Sequence, residues 1–250
     1  MAVRVIPLLV LIGIVKIIVN QNGWEFLSLN GIFTALISAN IFLIGFNISG
    51  VLSDFKSGEK IPGELAANIE AISDECVYAF KRSGSTAAQA GFNYCLEFTE
   101  TVLDWLYSRV KTRDVLQKIN SFTNIFLSLE DNTQTSFMNR LKHEQSEIRR
   151  DVMRIHNIRE VRFSEAAYAI AEIISSAVIM AMVFLAMESF VEALFFTLLV
   201  SFIFIYMLFL IRDLDDPFAY YDQKHSVEEI SLHALEDLKE RLELRRQKLM

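Results

Sequence analysis

The chain has 250 residues, of which 52% are hydrophobic and 22% are charged, and its mean hydropathy is +0.32. The apolar residues lie in blocks with almost all charges outside them, a pattern not expected of a soluble enzyme, a disordered chain or a disulfide-linked secreted module. The net charge of −7 also disfavours general nucleic-acid binding, which requires a basic surface. Composition therefore indicates an integral membrane protein.

Four apolar blocks predict four transmembrane helices, at residues 5–19, 32–52, 166–187 and 193–211. A helix needs about 20 residues to cross the roughly 30 Å hydrocarbon core of a bilayer, and the last three blocks meet this length. The first block is short enough to be either a tilted span or a signal peptide. Because residues 20–24 offer no small-residue cleavage site, we predict a retained span.

The distribution of Lys and Arg predicts how these spans are oriented. The connections 21–31 and 188–192 contain no basic residue, whereas basic residues are frequent between the two hairpins and after the last span. By the positive-inside rule, both termini are predicted to be cytoplasmic in a multi-pass protein of the cell (inner or plasma) membrane. The predicted domains are a first hairpin (1–55), a cytoplasmic helical domain (56–163), a second hairpin (164–211) and a cytoplasmic C-terminal helix (212–250).

The segment between the hairpins is predicted to be helical. Apolar residues recur at helical spacing, no strand-like alternation occurs, and Thr86 with Gln89 is typical of a capping box. Cys76 and Cys95 both lie in this segment, without the spacing of a metal site, and are expected to be free thiols. The fold class is therefore all-α, with two transmembrane hairpins and a cytoplasmic helical domain.

The second span carries the pattern most informative about function. At about 100° per residue, small residues, hydroxyls and two phenyl rings fall on one face, opposite an Ile-rich face that includes Ile41 and Ile44. The members of the first face are Ala35, Ser38, Phe42, Phe46, Ser49 and Ser53.

Two interpretations of this face remain open. Small residues and hydroxyls are common where helices pack together in lipid, although bulky phenyl rings prevent close approach. Alternatively, the face lines a pore, in which hydroxyls wet the wider parts and stacked rings of Phe42 and Phe46 form a hydrophobic gate. One such face per chain cannot enclose a pore, so this interpretation requires a homo-oligomer.

The same residues resemble a known family. The stretch Phe42-Leu43-Ile44-Gly45-Phe46-Asn47-Ile48-Ser49 is similar to the second transmembrane helix of bestrophins and of bestrophin-like prokaryotic membrane proteins. Residues 64–72 resemble the acidic, Glu-Ala-containing segment that follows this helix, and Asp216-Pro217-Phe218 resembles the motif after the last span. The resemblance implies a pentameric ion channel whose gate includes Phe42 and Phe46.

The resemblance further implies a Ca²⁺ site near the Pro-Phe motif. Asp213, Asp215 and Asp216 offer the oxygen ligands that this cation prefers, although an ordinary solvated helix end is the preferred explanation of them. No other cofactor is expected.

Isolated charges bear on ion selectivity. Glu25, Glu188 and Glu192 lie in the predicted outer connections, where sequence offers no basic partner, and would concentrate cations at a pore mouth. Lys16 and Glu172 are the charges inside spans; we expect Lys16 to extend its amine toward the interface, whereas a functional role for Glu172 stays open.

The sequence therefore predicts a homo-oligomeric ion channel, with membrane lipid and permeant monovalent ions as its partners. The alternative is a non-conducting membrane scaffold or sensor whose cytoplasmic helical domain binds another protein. An enzyme is not expected, because no pair of catalytic groups occurs at matched depth in the spans.

Overall fold

The structure, a computed structural model, describes residues 2–130, 135–160, 165–215, 217–218, 220 and 229–249. Within them the prediction of an all-α fold is confirmed, because the only strands are two residues long. The helices are α1 (Ala2–Gln21), α2 (Gly31–Glu59), α3 (Ile61–Ser83), α4 (Thr86–Leu106), α5 (Thr112–Glu130), α6 (Thr135–Glu160), α7 (Glu165–Val183), α8 (Phe190–Leu214) and α9 (His233–Leu249). The strands are β1 (Leu27–Ser28) and β2 (Leu185–Ala186).

The chain forms two compact units. The span unit consists of residues 1–55 and 162–216, and the helical unit consists of residues 56–161 and 217–250. Four helices, which begin at Val3, Gly31, Ala166 and Phe190, are long and apolar enough to cross a membrane. They correspond to α1, α2, α7 and α8, the four helices on which the sequence predicted spans.

The core of the span unit joins α2 to α7, β2 and α8. Its buried members are Ile44, Val51, Val178, Met182, Leu185, Phe204, Ile211 and Leu214. Much of the remaining apolar surface of these helices is exposed in the single chain; Phe195, for example, is 58% exposed. Surface of this kind is suited to contact with lipid or with another subunit.

The third apolar block is not helical over its whole predicted length. The span was predicted for residues 166–187, but α7 ends at Val183. Leu185 and Ala186 instead pair in parallel with Leu27 and Ser28. A backbone hydrogen bond from Leu27 N to Phe184 O, at 3.1 Å, adds to this pairing. The short β1–β2 pair therefore connects the loop after α1 to the end of α7.

The helical unit begins with an antiparallel hairpin of α3 and α4. Gly84 ends α3 in the left-handed conformation (φ 63°), which glycine adopts without steric cost, and its N–H donates to Phe80 O at 2.7 Å. Ser85 is the N-cap of α4, because its hydroxyl accepts a hydrogen bond from Ala88 N at 3.4 Å. The predicted cap was therefore displaced by one residue, since Thr86 is already the first residue of the helix.

Around this hairpin α5 packs against α4, α6 packs against α3 and α5, and α9 packs against α3 and α4. The core contains large aromatic side chains that are at most 2% exposed, including Phe98, Trp105 and Phe122. Ion pairs fasten α9 to α3: Arg241 contacts Glu70 at 2.9 Å, and Arg245 contacts Asp74. Because these pairs lie at the surface, each contributes little to stability.

Gly91 permits the close approach of α4 to both of its neighbours. A Cβ at this position would lie 2.8 Å from Cys76 Sγ and 3.0 Å from Ile125 Cγ2. Cys76 and Cys95 are both free and buried, as the sequence predicted for free thiols. A hydrogen bond with Cys76, together with burial, raises the pKa of the Cys95 thiol well above its usual value.

Gly91→Ala is expected to lower the free energy of unfolding of the helical unit by about 1–3 kcal/mol, because the added methyl group overpacks the α3–α4–α5 contact. Adding Cys76→Ala should recover part of this loss, since it removes the sulfur that the methyl group meets first. The measurement is denaturant unfolding of the full chain in detergent. Gly63→Ala is the control, because no atom lies within 4 Å of its added Cβ; an equal loss in this variant would contradict the explanation.

Candidate functional site

The predicted pore-facing residues of α2 all lie on an exposed face of the helix. Ala35, Ser38, Phe42, Phe46, Ser49 and Ser53 are exposed in the single chain. The two phenyl rings are 76% and 63% exposed, which is unusual for large apolar side chains unless lipid or another subunit covers them. The two rings are four positions apart in the helix, which corresponds to about 6 Å along its axis.

The opposite face of α2 is buried and contains two amide side chains. Asn40, Ile44, Asn47 and Val51 are all at most 4% exposed and follow one another at helical spacing. Asn40 Nδ2 donates to Ser175 Oγ at 3.0 Å, and Asn47 Nδ2 donates to Ala167 O at 3.3 Å. These bonds join α2 to α7 and fix which face of α2 remains exposed.

Sequence reasoning did not identify either Asn residue. The sequence did contain a pattern that could have identified them. Two amide side chains seven residues apart in an otherwise apolar span lie on the same face of a helix. Polar side chains within spans normally face protein, where they hydrogen-bond between helices. The Ile-rich face of the helical wheel is not uniformly buried, since Ile44 is 4% exposed whereas Ile41 is 55% exposed.

Lys16 does not extend toward the interface as the sequence suggested. The side chain is fully buried, and its amine donates to Glu25 Oε1 at 2.7 Å, Val183 O at 3.1 Å and Leu185 O at 2.6 Å. Asn20 Nδ2 donates to the second oxygen of Glu25 at 3.1 Å. All three N–H groups of the ammonium therefore have partners, and the cluster joins α1, its following loop and the end of α7.

This cluster corrects one expectation about the predicted acidic mouth. Glu25 was expected to have no basic partner, but it is paired with Lys16. Glu188 and Glu192 are exposed, and neither forms an ion pair with a described residue. Of the three residues predicted for the outer mouth, Glu188 and Glu192 are therefore the two without an ion pair to a described residue.

The other charge within a span, Glu172, also has a partner. Its Oε1 lies 3.2 Å from an Arg212 guanidinium nitrogen, and the same guanidinium lies 5.2 Å from the centre of the Tyr168 ring. Both members of the ion pair are partly exposed. The pair connects α7 to the last turn of α8, so Glu172 has a structural partner within the span unit.

The predicted Ca²⁺ ligands lie where α8 ends. Asp213 is in the last turn of α8 and Asp215 follows its last residue, and both are partly exposed. Asp216 lies outside the described residues. Within the described part of the chain, no three His, Cys, Asp or Glu side chains are close enough together to hold a metal ion.

No protein-family model matches the sequence, and no curated protein matches it. The fold does match solved structures. A mutant of a bacterial bestrophin homologue from Klebsiella pneumoniae matches with a TM-score of 0.81 and 16% identity over 98% of each chain. Another structure of a bestrophin homologue from this organism matches with a TM-score of 0.81 and 15% identity over 99% of each chain.

The chain has the bestrophin fold. A structure described as a membrane protein also matches, with a TM-score of 0.80 and 16% identity over 98% of each chain. At these identities the likeness is one of fold, and the four apolar helices together with the bestrophin fold identify the chain as a membrane protein. The resemblance noted in the sequence is thus confirmed at the level of the fold.

Two of the motifs that carried the bestrophin resemblance, the phenyl pair of α2 and the Pro-Phe pair after α8, differ in exposure. Phe42 and Phe46 are exposed, whereas Pro217 and Phe218 are buried within the helical unit. Arg159, at the end of α6, donates to Phe218 O at 3.1 Å and to Leu106 O at 2.7 Å. The Pro-Phe motif therefore serves packing in the helical unit, while the phenyl rings of α2 are left available for contacts beyond the single chain.

Proposed function

We propose that this chain is a subunit of a homo-oligomeric ion channel in which α2 lines the pore. The observation that carries the proposal is the separation of the two faces of α2. Asn40 and Asn47 anchor one face to α7, while the face with Phe42 and Phe46 is exposed. Since one such face cannot enclose a pore, several copies must surround the axis, and the family resemblance suggests five.

In the proposed pore, Phe42 and Phe46 form two adjacent hydrophobic rings. A constriction lined by phenyl groups empties of water and blocks ions until it widens. Ser49 and Ser53 would line wetter parts of the pore to one side of these rings, and Ser38 would lie to the other side. Ser38 donates its hydroxyl hydrogen to Thr34 O at 3.0 Å, so its oxygen is left as an acceptor, which suits a cation.

The proposed orientation follows the distribution of basic residues. Both termini and the helical unit would lie in the cytoplasm, and the α1–α2 and α7–α8 connections would lie outside the cell membrane. Glu188 and Glu192 would then repeat around the outer mouth, which favours monovalent cations over anions. No residue is assigned a catalytic role in this proposal.

The proposal is tested by reconstituting the purified chain in liposomes with unequal KCl concentrations on the two sides. The subunit number is measured on the same preparation by native mass spectrometry. Ion flux should be detected, and its reversal potential identifies the permeant ion. Measurements with and without Ca²⁺ test Asp213, Asp215 and Asp216 as ligands. Verified oligomers that stay silent under both conditions would overturn the channel and favour a scaffold whose helical unit binds a partner.

Reversing the two outer charges, in Glu188→Lys/Glu192→Lys, is expected to move the reversal potential toward that of chloride. The physical reason is that a ring of positive charge repels cations and concentrates anions at the mouth. The effect should weaken as the salt concentration rises, because mobile ions screen exposed charges. The matched control is Glu130→Lys/Glu240→Lys, which reverses two exposed charges in the helical unit. An equal shift in the control would remove the argument from Glu188 and Glu192.

A further inference from the structure

A carboxylate is buried in the helical unit without a cationic partner. Asp151, on α6, is 1% exposed and lies on the face of the helix that carries the fully buried Ile148 and Ile155. Its hydrogen-bond partner is neutral, because Asn68 Nδ2 of α3 donates to Oδ2 at 3.3 Å. No basic group among the described residues lies within ion-pair distance of this carboxylate. A buried carboxylate in such surroundings is unfavourable when it is charged.

The charged groups around Asp151 do not offset this cost. Glu64 lies one turn before Asn68 on α3, and Glu147 lies one turn before Asp151 on α6, so two further carboxylates are nearby. Arg150 pairs with Glu147, and Arg154 donates to Ser57, so both guanidinium groups have other partners. Burial and the negative charge of Glu64 raise the pKa of Asp151 to about 6, against the opposing effect of Arg150.

We propose that Asp151 is a proton-binding site that regulates the contact between α3 and α6. In mildly acidic solution the carboxyl group is neutral, and the two helices pack tightly around it. At neutral pH the group is charged, and its burial opposes the same contact. This inference concerns the helical unit alone and holds whether or not the chain conducts ions.

The direction of the pH effect follows from the shift in the pKa of Asp151. The folded state binds the proton more tightly than the unfolded chain, whose carboxyl group has the ordinary value of 3.8. The stabilisation from the neutral group is therefore complete below this ordinary value and is lost as the pH rises through about 6. A pKa difference of about two units corresponds to a change of at most about hundredfold in the equilibrium between the closed and the locally unfolded α3–α6 contact. We expect a change of about tenfold in this equilibrium constant.

Hydrogen exchange of the full chain in detergent tests the proposal. Exchange is measured for α6 peptides around Asp151 at about pH 5 and about pH 7.5, two values that bracket the expected titration of Asp151. At each pH the intrinsic exchange rate of the peptide is divided by its observed rate, which gives the protection of the peptide. In the wild-type protein the protection of these peptides should fall about tenfold between the two values. In Asp151→Asn it should not change, because the amide keeps the hydrogen bond from Asn68 but does not titrate in this range. Peptides from α4 are the internal control.

A second variant keeps the test decisive if Asp151→Asn does not fold. Glu64→Gln removes the neighbouring negative charge and leaves Asp151 in place, so the loss of protection should move to lower pH. A purely structural role for Asp151 would not produce this displacement. Equal pH dependence in wild type and Asp151→Asn, or an unchanged midpoint in Glu64→Gln, would overturn the proposal.

Discussion

Phe42→Ala/Phe46→Ala is expected to increase ion flux through reconstituted oligomers in the absence of any activator. The rings stand one helical turn apart on the exposed face of α2, and both face away from the core of the single chain. Replacing them by methyl groups widens the constriction and makes it easier to fill with water. If the energy barrier falls by about 1.4 kcal/mol, flux rises about tenfold, and we expect at least this change. The measurement compares flux per oligomer in liposomes with that of the wild type.

Phe195→Ala/Phe196→Ala is the matched control for this experiment. It also removes two neighbouring phenyl rings from an apolar helix, and these rings are 58% and 44% exposed. They lie on α8, outside the proposed pore, so basal flux should stay near the wild-type level. Equal leakage in both variants would show a general defect in the bilayer or in assembly. A silent gate variant, in oligomers of verified subunit number, would contradict the role of Phe42 and Phe46 as a gate.

The helical periodicity of α2 was sufficient to group the residues of one face, but not to predict whether that face packs against another helix or lines a pore. All six residues that the helical wheel placed on this face, Phe42 included, are exposed, because 3.6 residues per turn fixes the relative directions of side chains along one helix. The composition of the buried face was harder to predict. Ile41 belongs to the Ile-rich face of the helical wheel but is exposed, whereas Asn40 and Asn47 lie on the buried face. Asn40 and Asn47 are buried because Ser175 and a backbone carbonyl of α7 lie opposite them as hydrogen-bond partners. The hydrophobicity of a residue does not reveal which partners lie opposite it in the fold.

The partner of Lys16 could not be predicted from the sequence for a related reason. Glu25 follows it by nine residues, but the chain must leave α1 and turn back before the two side chains meet. The other two partners are carbonyl oxygens of Val183 and Leu185, more than 160 residues away. They become available because α7 ends before the apolar block does, and hydropathy alone does not show where such a helix ends.

The proposed gate residues and the Lys16 cluster are expected to affect the protein in different ways. Phe42 and Phe46 contribute little to the core of the single chain, since both are exposed. Their replacement should therefore alter conduction without unfolding the span unit. Lys16, by contrast, joins three segments of that unit through buried bonds. Its replacement should alter stability, and any effect on conduction would follow from that loss.

Lys16→Met is expected to lower the free energy of unfolding of the span unit by about 3–5 kcal/mol. The methionine retains the apolar part of the side chain but leaves the carboxylate of Glu25, which is 16% exposed, without its cation. It also removes the donor to Val183 O and Leu185 O, which become unsatisfied in a region of low polarity. The measurement is unfolding of the full chain by increasing amounts of a denaturing detergent. Lys60→Met is the control, because Lys60 is exposed, and a change within about 0.5 kcal/mol is expected.

A double-mutant cycle separates the ion pair from the rest of this effect. Glu25→Gln should also destabilise the span unit, since it leaves a buried ammonium group without a full negative charge. If the two charges stabilise each other, Lys16→Met/Glu25→Gln loses less than the sum of the single variants, by about 1–3 kcal/mol. Additive losses would mean that Lys16 acts through the carbonyls of Val183 and Leu185 rather than through Glu25. In that case the hydrogen bonds from the Lys16 amine to these two carbonyls, and not the ion pair, hold α1 against the end of α7.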